Sequence, residues 1–448
     1  MLSVETLTTL VQDELTLRHE EGCATGRIAR KFEALKANPP ADAAKQLEKL
    51  LASLEKLKVS KSFKFVEPSD LESIRAARPA GPRRMACTLD DEQLYDRILG
   101  AWQARTAGCL LGLFCEGRGR DKIEGYLRRI GRWPLSNYFP YVEELTEEFN
   151  LPAFFRTEGS LGLIKRMVRD DDTDYTILGL HILEKYGPGF TTENVGAEWL
   201  DVLAYLAVCS AERATYRNLI NEIKPPRAGT FQNPWREWIG AQIRCDGFAY
   251  ATPGQPELAA EFCYRDAALS HVKNGIYGEM FFGSMISAAI ACGNLEEALE
   301  VGLSEIPANC RLAEAMRFVR DLRKTTPDWP TALDRIVERY GHYHRCHTIN
   351  NAAVVLLGLL WGEGDMEKTL CISVMAGWDT DCNAATAGSV IGAILGAKAL
   401  TYDKWIAPLN DTIVSGVAGY DNSRMTDLAR RMVAVVRKIQ ASQAGQKA

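Results

Sequence analysis

The chain has 448 residues, of which 46% are hydrophobic and 25% charged, and its net charge is −5 at pH 7. This is the composition of a globular protein with a large core. The negative charge argues against a nucleic-acid-binding protein, which normally carries a basic face, but it allows a local cationic pocket for an anionic substrate.

The sequence predicts a cytoplasmic protein without a membrane partner. Its first residues, MLSVETLTTLVQDEL, lack the basic and apolar regions of a secretory signal. The apolar stretches near 283–291 and 387–400 are interrupted by Gly, Ser and Lys, short of the roughly 18 apolar residues of a membrane span. The twelve cysteines include no C-x-x-C pair, which favours free thiols in a reducing compartment over a disulfide framework.

Residues 1–90 are predicted to form an N-terminal helical extension and linker. Leucines at spacings of three and four give the stretch 41–58 an amphipathic helical pattern, and the segment around 7–35 is similar. Asn38-Pro39-Pro40 separates the two, which predicts a helical hairpin. Three prolines mark 61–90 as a linker or a strap. The hairpin is expected to pack on the core, with covering of a cleft or pairing in a homo-oligomer as alternatives.

Residues 91–440 are predicted to form one all-α domain. Helical periodicity recurs from residue 92 onward, and no run of β-branched residues alternates with period two. Small residues recur within two of the helices, where they would let helix backbones approach closely: Gly100, Ala101, Ala104, Ala107 and Gly108 in one, and Ala384, Ala385, Ala387, Gly388, Gly392 and Ala393 in the other. The tail SQAGQKA is expected to fray.

Two acidic clusters are the strongest candidates for chemistry. Asp170, Asp171 and Asp172 precede one apolar helix, and Asp379 and Asp381 precede a small-residue helix. Aspartate often caps a helix N-terminus, but capping needs only one or two carboxylates. Adjacent aspartates repel one another, and a hard cation such as Mg²⁺ or Mn²⁺ supplies the counter-charge that holds them together. Each cluster alone leaves capping and metal binding as alternatives.

Three motifs resemble those of the ADP-ribosylglycohydrolase family, in the family's order and over about 95–400. ILGAWQARTAGCLLGLFCEG is similar to the family's opening helix, which ends in a glutamate. RDDDTDYT resembles its Thr-Asp-Asp-Thr metal motif, and GWDTDCNAATAGSVIGAILGA resembles its Gly-x-Asp-Thr-Asp motif. The resemblance implies a compact multi-helix orthogonal bundle that is a metal-dependent glycosidase.

The resemblance also implies a set of site residues. Two Mg²⁺ (or Mn²⁺) ions would be held by Asp170, Asp171, Asp172, Asp379, Asp381 and Glu116. The catalytic roles would fall to Glu116, Asp172 and Asp381. A segment similar to the family's Ser/Thr-His element, together with the tryptophan before Asp379, would contact the substrate through Ser270, His271, Asn274, Gly275 and Trp378.

Two further segments are weaker candidates for the site. The aromatic and arginine side chains of FQNPWREWIG suit a base or a phosphate, although helix packing explains its tryptophans more simply. GHYHRCHTINN holds His342, His344, Cys346 and His347, but ligands so close in sequence do not readily converge on zinc. His347 is instead expected to line the cleft with Asn350 and Asn351.

The implied reaction is hydrolysis of an N- or O-glycosidic bond at a ribose, with the ribose held on two metal ions and attacked by an activated water. The expected substrate is an ADP-ribosylated protein or another ADP-ribosyl compound. Two positions depart from the family motifs, because Asp170 and Cys382 stand where threonines are usual. These departures make a nucleoside or ribosylated-metabolite hydrolase the first alternative. A catalytically silent helical binding protein is the second.

Overall fold

The computed structural model describes residues 2–445, and it confirms the all-α prediction. Its helices are α1 (Val4–Glu20), α2 (Gly26–Ala37), α3 (Ala43–Glu55), α4 (Leu71–Ala77), α5 (Asp91–Leu113), α6 (Arg120–Arg129), α7 (Thr146–Phe149), α8 (Asp171–Tyr186), α9 (Thr192–Val202), α10 (Ser210–Ile220), α11 (Cys245–Tyr250), α12 (Pro256–Ala267), α13 (Asn274–Cys292), α14 (Leu295–Ser304), α15 (Arg311–Arg323), α16 (Trp329–Tyr340), α17 (Thr348–Gly362), α18 (Met366–Met375), α19 (Thr380–Leu395) and α20 (Met425–Gly445).

Strands contribute little to this fold. β1 (Thr412–Val414) and β2 (Asn422–Arg424) form an antiparallel pair in which Ile413 faces Ser423. Short 3₁₀ or π turns occur at Glu143–Leu145, Ala153–Arg156, Gly187–Gly189, Tyr205–Ala207, Arg227–Gly229, Gln242–Arg244, Ala397–Ala399, Tyr402–Ile406 and Ala407–Leu409. Helix α20 continues into the tail that was expected to fray, and residues 446–448 lie outside the described range.

The part of the N-terminal extension before residue 61 contains three helices rather than the two segments of the predicted hairpin. The segment around 7–35 is divided between α1 and α2, because Gly22 adopts a left-handed conformation with φ of +80°. Apolar side chains of α1, α2 and α3, including Val11, Phe32 and Leu54, form a small cluster of their own. Trp235 of the main domain packs against this cluster, so the extension rests on the rest of the protein.

Residues 61–90 run as a strap over the main domain. The Val66 amide donates to the Asn309 carbonyl at 2.8 Å, and the Met85 amide donates to the Gly254 carbonyl at 2.8 Å. Between these points, Arg78 forms ion pairs with Glu257 and Glu305. These bonds attach the segment to the main domain along its length, as expected of a strap and not of a free linker.

Helices α5 and α19 cross in close contact, which confirms the expectation for their small residues. A Cβ atom added to Gly112 would lie 2.2 Å from the Thr380 carbonyl oxygen, and one added to Gly392 would lie 2.2 Å from the Gly100 carbonyl oxygen. Real Cβ atoms do not approach backbone so closely, so the glycines are what allow the two helices to touch. This contact places the C-terminal end of α5 beside the N-terminal end of α19.

Helix α13 runs through the core. Of the described helices it alone has the length and apolar character that a membrane span requires, and 89% of its apolar window is buried inside the protein. The core helix of a folded domain has these same properties.

Candidate metal centre

The two aspartate-bearing turns, which are about 200 residues apart in the sequence, meet at one place. Helices α8 and α19 both begin there, and the turn that follows α5 adds a glutamate. Three sets of side chains bring potential ligand atoms within 4.8 Å of one another: Cys109, Asp170 and Asp172; Asp172, Asp381 and Cys382; and Glu116, Asp379 and Asp381. Because the sets share Asp172 and Asp381, they form one continuous group, which we call the acidic cluster.

Helix capping accounts for only part of this cluster. The Asp170 carboxylate accepts a hydrogen bond from the Asp172 amide at 2.9 Å and so caps α8. Asp379 is the N-cap residue of α19, but its side chain makes no capping hydrogen bond. Asp172 Oδ2 and Asp381 Oδ1 form no hydrogen bond with any of the described residues. Two buried carboxylate oxygens therefore point into the cluster without a protein partner.

Arg105 is a buried cation next to the acidic cluster, and it was not predicted from the sequence. Its guanidinium lies 3.1 Å from Asp172 Oδ1 and 2.9 Å from Asp246 Oδ2. It also donates to the Ile243 carbonyl and to the Thr176 hydroxyl, at 2.8 and 2.9 Å. One arginine with two carboxylate partners cannot neutralise the cluster, so its main effect is to fix the position of Asp172.

The electrostatics of the cluster favour a bound cation. Burial, and then the charges of Glu116, Asp379 and other neighbours, raises the pKa of Asp381 well above its usual range. Burial followed by the charge of Asp170 has the same effect on the pKa of Asp172, against the opposing effect of Arg105. Desolvation by the surrounding protein, followed by the charges of Asp379 and Asp170, raises the pKa of Glu116 to about 7, although part of its side chain is exposed to solvent. A divalent cation would relieve this repulsion, and the oxygen-rich donor set fits a hard cation.

The two cysteines beside the cluster are poor ligands for such a cation. Burial raises the pKa of both the Cys109 thiol and the Cys382 thiol well above the usual range, and the neighbouring aspartates add to this effect. Protonated thiols do not bind Mg²⁺ or Mn²⁺, which prefer oxygen. The oxygens of the cluster are therefore the atoms that fit the metal.

Because metal binding must displace protons from these carboxyl groups, we expect Mg²⁺ or Mn²⁺ affinity to fall as the pH is lowered through about 7. Calorimetric titration in buffers of different ionisation enthalpy should show proton release near neutral pH. Glu116→Gln should release less, since it removes the group with a pKa of about 7. An affinity that is the same at pH 6 and pH 8 would contradict this expectation.

The other predicted site residues lie at varying distances from the cluster. Asp171 is half-buried at the first position of α8 and belongs to none of the three ligand sets among the described residues. Trp378 is half-buried, has a φ of +64° and immediately precedes Asp379. Metal binding by Asp171 and substrate contact by Trp378 stay predictions.

Ser270 and His271 are buried in a separate polar network. The Ser270 hydroxyl lies 2.7 Å from His271 Nδ1 and accepts a hydrogen bond from Arg244 at 3.0 Å. His271 Nε2 lies 3.8 Å from a carboxylate oxygen of Glu212. The charge of Glu212 in turn contributes to the raised pKa of Asp171, after burial and the charges of Asp170 and Asp172. Contact of Ser270 and His271 with the substrate stays a prediction.

Asn274 and Gly275 have packing roles in this structure. The Asn274 amide donates to Glu237 at 2.9 Å, and its carbonyl oxygen accepts from the Leu312 amide at 3.0 Å. A Cβ atom on Gly275 would lie 2.6 Å from the Arg236 carbonyl oxygen. Contact of these two residues with the substrate stays a prediction.

The histidine-rich segment lies next to the acidic cluster, and the stacked rings of its His344 and of Trp238 form a surface that we call the wall. The His344 ring stacks on Trp238 with centroids 4.0 Å apart, and the Arg345 guanidinium lies against Gly117, the residue after Glu116. Asn351 fixes this segment to the cluster, because its amide donates to the Arg345 carbonyl and its side-chain oxygen accepts from the Asp379 amide. The ligand sets found in the described residues contain no histidine.

A cavity of about 460 Å³ opens beside Glu116. The segment before α8 supplies much of its lining, including the exposed ring of Phe154 and the side chains of Arg166 and Arg169. Phe154 packs edge-on against Phe155, with ring centroids 5.1 Å apart. The cavity was not predicted from the sequence, since most of its aromatic and basic residues come from the segment 152–169, which has no recognisable motif.

A comparison with models of known protein families gives a match over most of the chain. The family model described as ADP-ribosylglycohydrolase matches residues 90–442. A solved structure titled "ADP-ribosylglycohydrolase-related protein complex" aligns with a TM-score of 0.49 and 17% identity, covering 78% of this chain and 99% of its own. No curated protein matches the chain. The family match spans the end of α5, the start of α8 and the start of α19, and we conclude that the chain belongs to the ADP-ribosylglycohydrolase family.

Proposed function

We propose that the protein is a divalent-metal-dependent hydrolase that cleaves the N- or O-glycosidic bond between a ribose and its aglycone in an ADP-ribosyl compound. The observation that carries the proposal is the meeting of the two aspartate turns, with Asp172 Oδ2 and Asp381 Oδ1 buried and lacking a donor in the described structure. An inactive scaffold has no need to maintain this repulsion. In this proposal, residues 91–440 are the catalytic domain and residues 1–90 an extension of it.

The chain's own residues suit this reaction. Two divalent cations, when bound, would supply positive charge to orient the ribose hydroxyls and to lower the pKa of an attacking water. Asp172 and Asp381 would hold the ions, and Arg105 keeps Asp172 in place. Glu116 is a carboxylate of the acidic cluster that is exposed to solvent, so it is our candidate for the group that takes the proton of the water. The negative charge of the cluster would stabilise the developing positive charge on the ribose.

The cavity beside Glu116 supports an ADP-ribosyl substrate over a plain nucleoside. A diphosphate needs cationic groups, and adenine needs an aromatic surface. Arg166 and Phe154 offer these two kinds of group in the same cavity. Arg166 is half-exposed, and its ion pair with Glu158 is long, at 3.6 Å, so its guanidinium is available to a phosphate.

The test is a hydrolysis assay on the full-length protein. ADP-ribosyl-arginine, ADP-ribosyl-serine and a panel of nucleosides would be incubated with the protein, with and without Mg²⁺ or Mn²⁺, and released ribosyl product measured by chromatography. We expect release of ADP-ribose that depends on the metal. Arg166→Gln should raise KM for the ADP-ribosyl substrate about tenfold, because a phosphate loses a charged hydrogen bond.

Each other outcome has a defined meaning. Metal-dependent cleavage of nucleosides alone would replace the ADP-ribosyl assignment with the nucleoside alternative. Failure of the protein to bind Mg²⁺ or Mn²⁺ in calorimetry would overturn the hydrolase proposal and favour a silent binding protein. Arg129→Gln is the matched control for Arg166→Gln, since Arg129 is an exposed arginine on α6 that is not among the residues lining the cavity.

A further inference from the structure

The N-terminal extension lies outside the family match, yet it makes buried polar contacts with the main domain. Glu14 of α1 forms a two-bond ion pair with Arg236, at 2.7 and 2.8 Å, and both side chains are buried. The neighbouring Asp13 accepts a hydrogen bond from the Trp235 indole at 3.0 Å. A bidentate carboxylate–guanidinium pair fixes direction as well as distance, so α1 determines where residues 235 and 236 lie.

The segment fixed by α1 continues directly into the aromatic wall of the site. Trp238 follows two residues after Arg236, and its carbonyl accepts a hydrogen bond from the Thr348 hydroxyl at 2.8 Å. The Ile239 amide donates to the Cys346 carbonyl, also at 2.8 Å. These bonds join the Trp238 segment to the loop that carries His344, and the two rings stack.

That loop lies against the acidic cluster. Arg345 packs beside Gly117, and Asn351 connects the loop to the Asp379 amide at 3.2 Å. A second contact from the extension reaches the same loop, because a carboxylate oxygen of Glu20 lies 3.8 Å from His347 Nε2. The extension thus contacts both backbone segments that form the wall, the one that carries Trp238 and the loop that carries His344. It does not contribute a side chain to the acidic cluster.

We infer that the N-terminal extension positions the wall formed by Trp238 and His344, and that Glu14 is the principal positioning residue through its ion pair with Arg236. Under the proposed function the wall, which lies next to the acidic cluster, would contact the substrate, so the inference rests on that function. Its effect is on the binding of substrate. The candidate metal ligands lie at the starts of α8 and α19 and in the turn after α5, which α1 does not contact through these bonds.

The test compares Glu14→Gln with Glu5→Gln, an exposed glutamate of the same helix. Hydrogen–deuterium exchange of the full-length proteins would be followed in peptides covering 235–240 and 343–348. We expect Glu14→Gln to speed exchange in both peptides about tenfold, because a charged hydrogen bond is lost, and Glu5→Gln to leave them unchanged. Exchange that rises only within residues 4–55, or evenly over the whole chain, would overturn the inference.

Steady-state kinetics provide the second readout. In the assay that establishes the substrate, Glu14→Gln should raise KM about tenfold while kcat stays within about twofold, since the wall is expected to bind substrate and transition state alike. A fall in kcat with unchanged KM would overturn the positioning role. If the wild-type protein hydrolyses nothing, the proposed function fails alone, because the exchange experiment still decides whether Glu14 positions the wall.

Discussion

Replacement of Asp381 by asparagine is expected to abolish hydrolysis, with a loss of at least about 10³-fold in kcat. Asp381 belongs to two of the three ligand sets, so its carboxylate joins the two halves of the acidic cluster. Asparagine keeps the size of the side chain but removes its charge, and one neutral amide oxygen is a weak ligand for a hard cation. Calorimetry with Mn²⁺, alongside the hydrolysis assay, measures both effects on one preparation.

The same substitution should make the metal-free protein more stable. The pKa of Asp381 is raised in the folded state, so its charged form opposes folding. The native protein then binds more protons than the unfolded chain, and stability falls as the pH rises from about 4, the pKa of an unfolded aspartate, through the raised value. Asp381→Asn removes this loss, and thermal unfolding in chelator at neutral pH should show a higher Tm.

Opposite effects on activity and on metal-free stability separate a metal ligand from a structural carboxylate. Asp121→Asn is the control, because Asp121 is an exposed carboxylate in the first turn of α6 and should change neither quantity appreciably. If Asp381→Asn kept full activity with full metal content, the cluster would have no catalytic role. If it lowered the metal-free Tm, Asp381 would be a capping group after all.

The acidic cluster was predictable from the sequence because its carboxylates sit in short, separated motifs that carry their own signal. Asp379 and Asp381 exceed what capping requires, and the structure leaves the Asp379 side chain without a cap hydrogen bond. Arg105 gave no such signal. A lone arginine within a small-residue helix is identified as a partner of Asp172 only when α5 and α8 are placed side by side.

The departure from the family motif at Asp170 also has a physical explanation. The family's first metal motif begins with threonine, and this chain has Asp170 there. The structure shows the Asp170 carboxylate accepting from the Asp172 amide, the capping role that a threonine hydroxyl also performs. Asp170 thus keeps the helix start intact and adds a negative charge next to Asp172. The aspartate therefore increases the demand for a cation at the site while it caps α8.

The N-terminal extension shows where sequence patterns fail. Leucine spacing predicts its helices, but it predicts the segment around 7–35 as one unit, although no leucine lies between Leu17 and Leu35 and Gly22 divides α1 from α2. The ion pairs of Glu14 with Arg236 and of Glu67 with Arg311 join residues more than 200 positions apart. Pairings of this kind depend on the tertiary fold, and nothing in the local sequence marks them.

Gly112→Ala is expected to lower the free energy of unfolding by about 3 kcal/mol and to reduce hydrolysis strongly. The added methyl would lie 2.2 Å from the Thr380 carbonyl oxygen and 2.4 Å from the Asp381 amide nitrogen. Both neighbours are backbone atoms and cannot rotate away, so α19 must shift from α5. Any such shift carries Asp379 and Asp381 away from Asp172, and the cation loses its geometry.

Gly26→Ala provides the matched control, because Gly26 is also a helical glycine and a Cβ there meets nothing within 4 Å. It should change the free energy of unfolding by less than about 1 kcal/mol. Denaturant unfolding gives the stability of each variant, and metal titration shows whether the cluster survives. A Gly112→Ala protein with wild-type Mn²⁺ affinity would mean that the cluster does not depend on the α5–α19 contact. A loss of affinity in protein that is still folded would show that the small-residue crossing of α5 and α19 brings the ligands together.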